Sequence, residues 1–280
     1  MTGKKVGIVC CSNGMKRSHS GKIKMLEEKL CSIGLVPEFS RYIYEKEDAF
    51  CGTAKERAQA LMDFYENDEI EEIFDISGGD VVNGVLPYLD YDVIAKSEKR
   101  FWGYSDLTTI LNGIYAKTGK SSVLYQIRNV LYEYGDQQAM DVKSTLVEPE
   151  NALFQIKHHF IQQEKMQGVV IGGNIRCFLK LAGTEYMPDF KDKILLLESR
   201  SGRVPQMETY LSQLQQLGAF EQISGILLGT FTQMEEEQCK PEMPELLLNY
   251  VGEDMPIAVT REIGHGMDAK AIMIGERMTF

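Results

Sequence analysis

Short apolar runs alternate with helical stripes through most of the chain, and this alternation restricts the fold more than any other feature. Val6 to Cys11 is continuously apolar behind Lys4 and Lys5, and the run from Lys5 to Cys10 has the form of a parallel strand covered on both faces. Ile23, Leu26, Leu30 and Ile33 then recur at helical spacing, with Gly34 where a C-terminal cap belongs. Thr53-Ala54-Lys55-Glu56 has the pattern of a capping box ahead of the stripe Ala58, Leu61, Met62 and Tyr65. Ile70 to Ile76 is a second strand, ending in Ser77-Gly78-Gly79-Asp80, and Phe101 to Tyr104 is a third. Leu107, Ile110, Leu111 and Ile114 follow as a helix. The pattern predicts an α/β protein with a doubly wound parallel sheet.

The middle of the chain is less regular. Glu133 to Glu150 is polar, contains Gly135, Asp136 and Pro149, and reads as a linker. A helix is expected from Ala152 to Gln163. A second group of strands then runs through Val169 to Ile171, Ile194 to Leu197, Ile226 to Leu228 and Ile257 to Val259. Two α/β units are expected, 1–145 and 146–280, consistent with a length of 280 residues. No internal repeat or low-complexity tract interrupts them.

Composition excludes several classes of function. The chain is 44% apolar and 25% charged, which argues against wholesale disorder. Forty-one acidic residues against thirty basic ones leave a net charge of −11, and clustered Lys and Arg are what a nucleic acid or an anionic membrane would require. No apolar run approaches the roughly 18 residues of a membrane span, and Val6–Cys11 is too short for a signal-peptide core. Six cysteines without C-x-x-C spacing read as reduced, mostly buried thiols of a cytoplasmic protein, with core filling the expected role of Cys10 and Cys11. A zinc site is not expected.

Few residues are candidates for chemistry. In Gly103-Tyr104-Ser105-Asp106-Leu107 a strand ends and a helix begins at the serine. Ser105 is either the helix N-cap or a hydroxyl raised above the sheet edge, with the Asp106 backbone N–H beside it. The motif is not G-x-S-x-G, since position 107 is Leu. Of four histidines, His158 and His159 fall on the expected helix, His19 lies in a polar loop, and His265 stands between Gly264 and Gly266. Glu198 directly follows the apolar strand Lys193–Leu197, where open α/β sheets place functional groups. Gly78-Gly79 offers unobstructed backbone N–H groups to an oxyanion or a phosphate, yet neither a Walker loop nor G-x-G-x-x-G is present. Gly172-Gly173-Asn174 reads as a similar turn in the second unit, either structural or a rim of the cleft.

Together these segments resemble the serine LD-carboxypeptidases, the group of the muramoyl-tetrapeptide carboxypeptidases and the microcin C self-immunity peptidases. The strand ending in Gly78-Gly79, then Leu86-Pro87-Tyr88-Leu89-Asp90-Tyr91-Asp92, Gly103–Thr108, Gly172–Asn174, Leu181–Thr184, Lys193–Glu198, Gly225–Gly229 and Gly264–Gly266 carry the resemblance in order, over about residues 5 to 275. It implies Ser105 as nucleophile, His265 as general base, Glu198 as its orienting carboxylate, and the N–H groups of Asp106 and Gly79, or Gly78 beside it, as oxyanion hole. It further implies a Rossmann-like N-terminal domain, a smaller strand-rich C-terminal domain, a homodimer, and a small peptide substrate ending in a D-amino acid, with no cofactor or metal. Asp80 and Arg128 are candidate substrate contacts, Arg128 as a carboxylate clamp or simply as a surface arginine. Where the family often has Thr-Phe-His-Gly-Pro, this chain has Ser122–Asn129, and Gly266–Lys270 lacks the proline common after the histidine. Both departures bear on specificity. The alternatives are an amidase acting on peptidyl-nucleotides and a non-catalytic small-molecule-binding protein.

Overall fold

In a computed structural model, residues 3–148 and 150–280 are described. The strands in chain order are β1 (Lys4–Val9), β2 (Leu35–Phe39), β3 (Glu72–Asp75), β4 (Arg100–Gly103), β5 (Ser122–Leu124) and β6 (His159–Gln162). They continue as β7 (Gln167–Asn174), β8 (Lys193–Ser199), β9 (Gly225–Phe231), β10 (Ile257–Val259), β11 (Ile272–Ile274) and β12 (Arg277–Thr279). The helices used below are α1 (Ser20–Ser32), α2 (Ala54–Glu66), α3 (Tyr91–Lys96), α4 (Thr108–Thr118), α5 (Gly135–Leu146) and α6 (Ile175–Leu179).

Two six-stranded sheets result. The first runs β11-β5-β4-β3-β1-β2, parallel throughout except for β11. The second runs β12-β7-β8-β9-β10-β6, with β7 to β10 parallel and both outer strands antiparallel. The first sheet is doubly wound, and its strand order reverses between β1 and β3, the place where such sheets open a ligand crevice at their carboxyl ends. The capping box is present: Glu56 N donates to Thr53 Oγ1 (3.2 Å) and Thr53 N to Glu56 Oε2 (2.8 Å).

The core accounts for how the sheets meet. One face of the first sheet packs on α1 and α5, with Trp102 and Tyr125 fully buried there. On the other face the apolar layer of α2, α3 and α4 continues into the second sheet through Ile171, Phe178 and Leu195. Thr109 Oγ1 donates to Cys177 O (3.0 Å), and Asn112 holds Gly172 by both its N–H and its C=O (2.8 Å each). The chain then returns: β11 completes the first sheet, and β12, only Gly275 and Glu276 later, edges the second.

Three local expectations are corrected. The stretch Glu133–Glu150, expected to be a linker, contains α5, which buries Ala139, Val142 and Leu146. Its periodicity was hidden because polar Gln138, Asp141 and Thr145 are also buried and hydrogen-bonded, Asp141 accepting from Lys270 Nζ (2.6 Å). Pro149 lies outside the described residues. The helix expected over Ala152–Gln163 reduces to one turn at Ala152–Phe154, and His159–Gln162 is β6, antiparallel to β10. Gly172-Gly173-Asn174 is no turn but the end of β7, paired with Leu196–Glu198 of β8.

Candidate active site

Ser105 follows β4 in a conformation few side chains adopt. Its φ is +57°, the left-handed region, where a non-glycine residue is held only by its surroundings. The hydroxyl caps no helix: a short 3-10 turn, Ser105–Leu107, intervenes before α4 and has no side-chain cap. The next residue is a junction. The fully buried Asp106 carboxylate accepts from Ser12 Oγ (2.6 Å), Val82 N (3.1 Å) and Lys180 Nζ (2.5 Å).

The loop after β3 reaches the same edge. Gly79 has φ +128°, and a Cβ there would overlap the Asn13 side chain, so only glycine fits. Gly78 faces open space. Asp80 does not line the cleft and pairs with Arg176, whose hydrogen bond holds the carboxyl below the usual carboxylate range. Beneath, Asp75 accepts from Cys11 N (2.7 Å) and Ser77 Oγ (2.5 Å), while burial pushes its pKa up.

Glu198, near the end of β8, is fully buried. His265 arrives on the loop from β10 to β11, pinned where Thr230 N donates to Ile263 O (2.8 Å). Gly264 has φ +146°, and a Cβ there would strike Thr230 Oγ1. His265 Nδ1 lies 2.8 Å from Glu198 Oε2. A carboxylate oxygen accepts, so Nδ1 is the donor in this hydrogen bond. Nε2 is buried without a hydrogen-bond partner among the described residues. The Tyr104 ring packs 4.5 Å from the imidazole centroid, and burial drives its phenol pKa well up.

Ser105 and His265 line one cavity of about 990 Å³. Their side chains are not hydrogen-bonded in this conformation, and such catalytic hydrogen bonds commonly tighten only with substrate in place. Gly78, Gly79 and Arg128 also line it, Arg128 with a buried Nε that finds no partner among the described residues. Five basic residues, Lys16, Arg17, Lys46, Arg128 and Arg200, face the cavity against two acidic ones, Glu45 and Asp48. A chain of net charge −11 thus keeps a basic cleft. Among the described residues no cluster of His, Cys, Asp and Glu could hold a metal, and no helix is long and apolar enough to cross a membrane.

Residues 6–125 match the model of the LD-carboxypeptidase N-terminal domain, and residues 167–280 match that of the C-terminal domain. The chain belongs to the LD-carboxypeptidase family. It is 27% identical over 261 residues to the microcin C7 self-immunity protein MccF of Escherichia coli, covering 81% of this chain and 76% of that protein. To the probable murein peptide carboxypeptidase of Bacillus subtilis it is 25% identical over 268 residues, covering 88% and 79%. A solved structure of MccF in complex with glutamyl sulfamoyl guanosine shares the fold, with a TM-score of 0.87, 23% identity, and coverage of 100% of this chain and 93% of the other. As an LD-carboxypeptidase family member the protein is a hydrolase of peptide bonds.

Several features of this LD-carboxypeptidase fold escaped the sequence. Tyr104 gave no signal beyond being apolar beside Ser105, and its contact with His265 joins positions far apart in the chain. Arg200 stands two residues past Glu198, and only the cavity makes it notable. Nothing in the sequence singles out Lys180.

Proposed function

We propose that this chain is a serine carboxypeptidase that cleaves the L,D-amide bond releasing a terminal D-amino acid from peptides of the murein tetrapeptide type. One observation carries the reading: an imidazole held through Nδ1 by a buried carboxylate, with a free Nε2, on the cleft that Ser105 lines from a left-handed turn. In this reading 1–145 supplies the nucleophile and 146–280 the glutamate and histidine.

Ser105 Oγ attacks the amide carbonyl as its proton passes to His265 Nε2, and Glu198 stabilises the imidazolium. The N–H groups of Gly79 and Asp106 receive the tetrahedral oxyanion, each such donor being worth roughly 10²–10³ in rate. His265 then protonates the leaving amine, and water, deprotonated by the same imidazole, hydrolyses the acyl-enzyme. No metal or cofactor enters these steps. The basic cleft suits an anionic peptide, and Arg128, unpartnered at Nε, is the candidate clamp for its terminal carboxylate.

Incubation with murein tetrapeptide, followed by assay of free D-Ala, tests the reading. Release by the wild type and none by Ser105→Ala is the expected result; labelling of Ser105 by a fluorophosphonate without peptide release would redirect the substrate assignment. The similarity to MccF favours a second reading, hydrolysis of a peptidyl-nucleotide, and an aminoacyl sulfamoyl nucleoside in the same assay distinguishes it. Cytoplasmic location belongs to the proposal, supported by thiols that are all free among the described residues. So does a homodimer, which light scattering tests.

A further inference from the structure

The two backbone donors assigned to the oxyanion stand on separate loops. β3 and β4 stop pairing at Phe74 and Trp102, so sheet hydrogen bonds do not set the spacing between Gly79 and Asp106. Val82 N, on the loop after β3, donates to Asp106 Oδ2 (3.1 Å), and beyond that contact the loops are joined by side chains from the second unit. Lys180, just past α6, donates from Nζ to Asp106 Oδ1 (2.5 Å) and to the Asp80 backbone carbonyl (2.9 Å). Arg176, one turn earlier, donates to Gly79 O (3.1 Å) and pairs with the Asp80 carboxylate. Asp106 is fully buried and Lys180 is 18% exposed, so this ion pair is little screened by solvent.

We propose that Lys180, seconded by Arg176, is a positioning residue that sets the separation of the Gly79 and Asp106 N–H groups. One ammonium bridges both loops, and the bridge exists only while α6 is docked on the first unit. Oxyanion geometry is thereby tied to the packing of the two sheets. The inference rests on the serine-hydrolase reading above.

The test compares Lys180→Met and Lys180→Arg with wild type, reading kcat and KM on the tetrapeptide and the rate at which a fluorophosphonate labels Ser105. A misplaced oxyanion hole predicts a ~10- to 100-fold loss of both kcat and labelling rate in Lys180→Met. KM stays within about twofold, because the interaction lost is one made in the transition state. Lys180→Arg, which keeps the charge and two donors, recovers most of the rate. Arg176→Met, which frees only the Gly79 side, loses less than Lys180→Met. Should Lys180→Met not fold, Lys180→Gln replaces it, with the same direction expected. Folded Lys180→Met or Lys180→Gln protein that keeps kcat and labelling near wild type overturns the proposal, as does a loss confined to KM. Labelling needs no peptide, so a wrong substrate leaves this test intact. Wild-type protein that resists labelling altogether would overturn both readings.

Discussion

Ser105 holds its hydroxyl at a backbone angle that costs of order 1–3 kcal/mol and persists only because neighbouring contacts over-determine it. Sequence order brought Ser105, Glu198 and His265 forward, because strand ends and a glycine-flanked loop are legible one segment at a time. The left-handed φ, the Tyr104 ring against the imidazole and the Lys180 bridge were not, since each depends on residues tens of positions apart meeting in space. Ser105→Ala and His265→Ala are each expected to lower kcat by on the order of 10⁶, with an unchanged circular dichroism spectrum. In the proposed triad Glu198→Gln keeps the volume but replaces the carboxylate that orients His265, so a loss of about 10⁴ in kcat is expected. The thiols make a separate prediction. Burial pushes Cys10 and Cys11 far up, Cys51 to about 11 and Cys177 to about 12, whereas Cys31 is exposed and Cys239 partly so. Iodoacetamide at pH 8 should therefore modify Cys31 and Cys239 in the native protein and all six only after unfolding, as mass spectrometry would read.

Strands and helices with one clean apolar period were readable: β1, α1, α2 and α4 lie where their spacing predicts. α5 was missed because half of its buried face is polar and satisfied by Tyr125, Lys270 and the turn at Ala152–Phe154. β6 was read as helix because four residues are too few to show alternation, and its assignment is settled by pairing with β10. Asn112 shows how an element depends on a distant one. From inside α4 its amide substitutes for a strand neighbour at Gly172 of β7. Asn112→Ala leaves a buried N–H and a buried C=O without partners, at about 1–3 kcal/mol each. Urea unfolding should show a matching fall in midpoint with an unchanged slope. A fall below about 0.5 kcal/mol, the size of an ordinary surface change, would contradict this account.

At the scale of the molecule, β11 and β12 belong to different sheets although only two residues separate them, and the apolar layer is continuous through α4. The first sheet is completed by β11, a strand from the second unit's stretch of chain. Unfolding should be a single transition, and the one tryptophan offers a clean check, because Trp102 is fully buried in the first sheet. Its fluorescence midpoint should coincide with that of far-ultraviolet circular dichroism, whose signal comes from both sheets; separated midpoints would mean the units melt independently. The contrast between an acidic body and a basic mouth has a kinetic consequence. Negatively charged solutes are pushed off most of the exterior and drawn in at one opening, so the enzyme concentrates them before any contact forms. Raising ionic strength ought to slow their arrival while leaving bond cleavage in the filled pocket untouched, a funnel that sodium chloride can switch off.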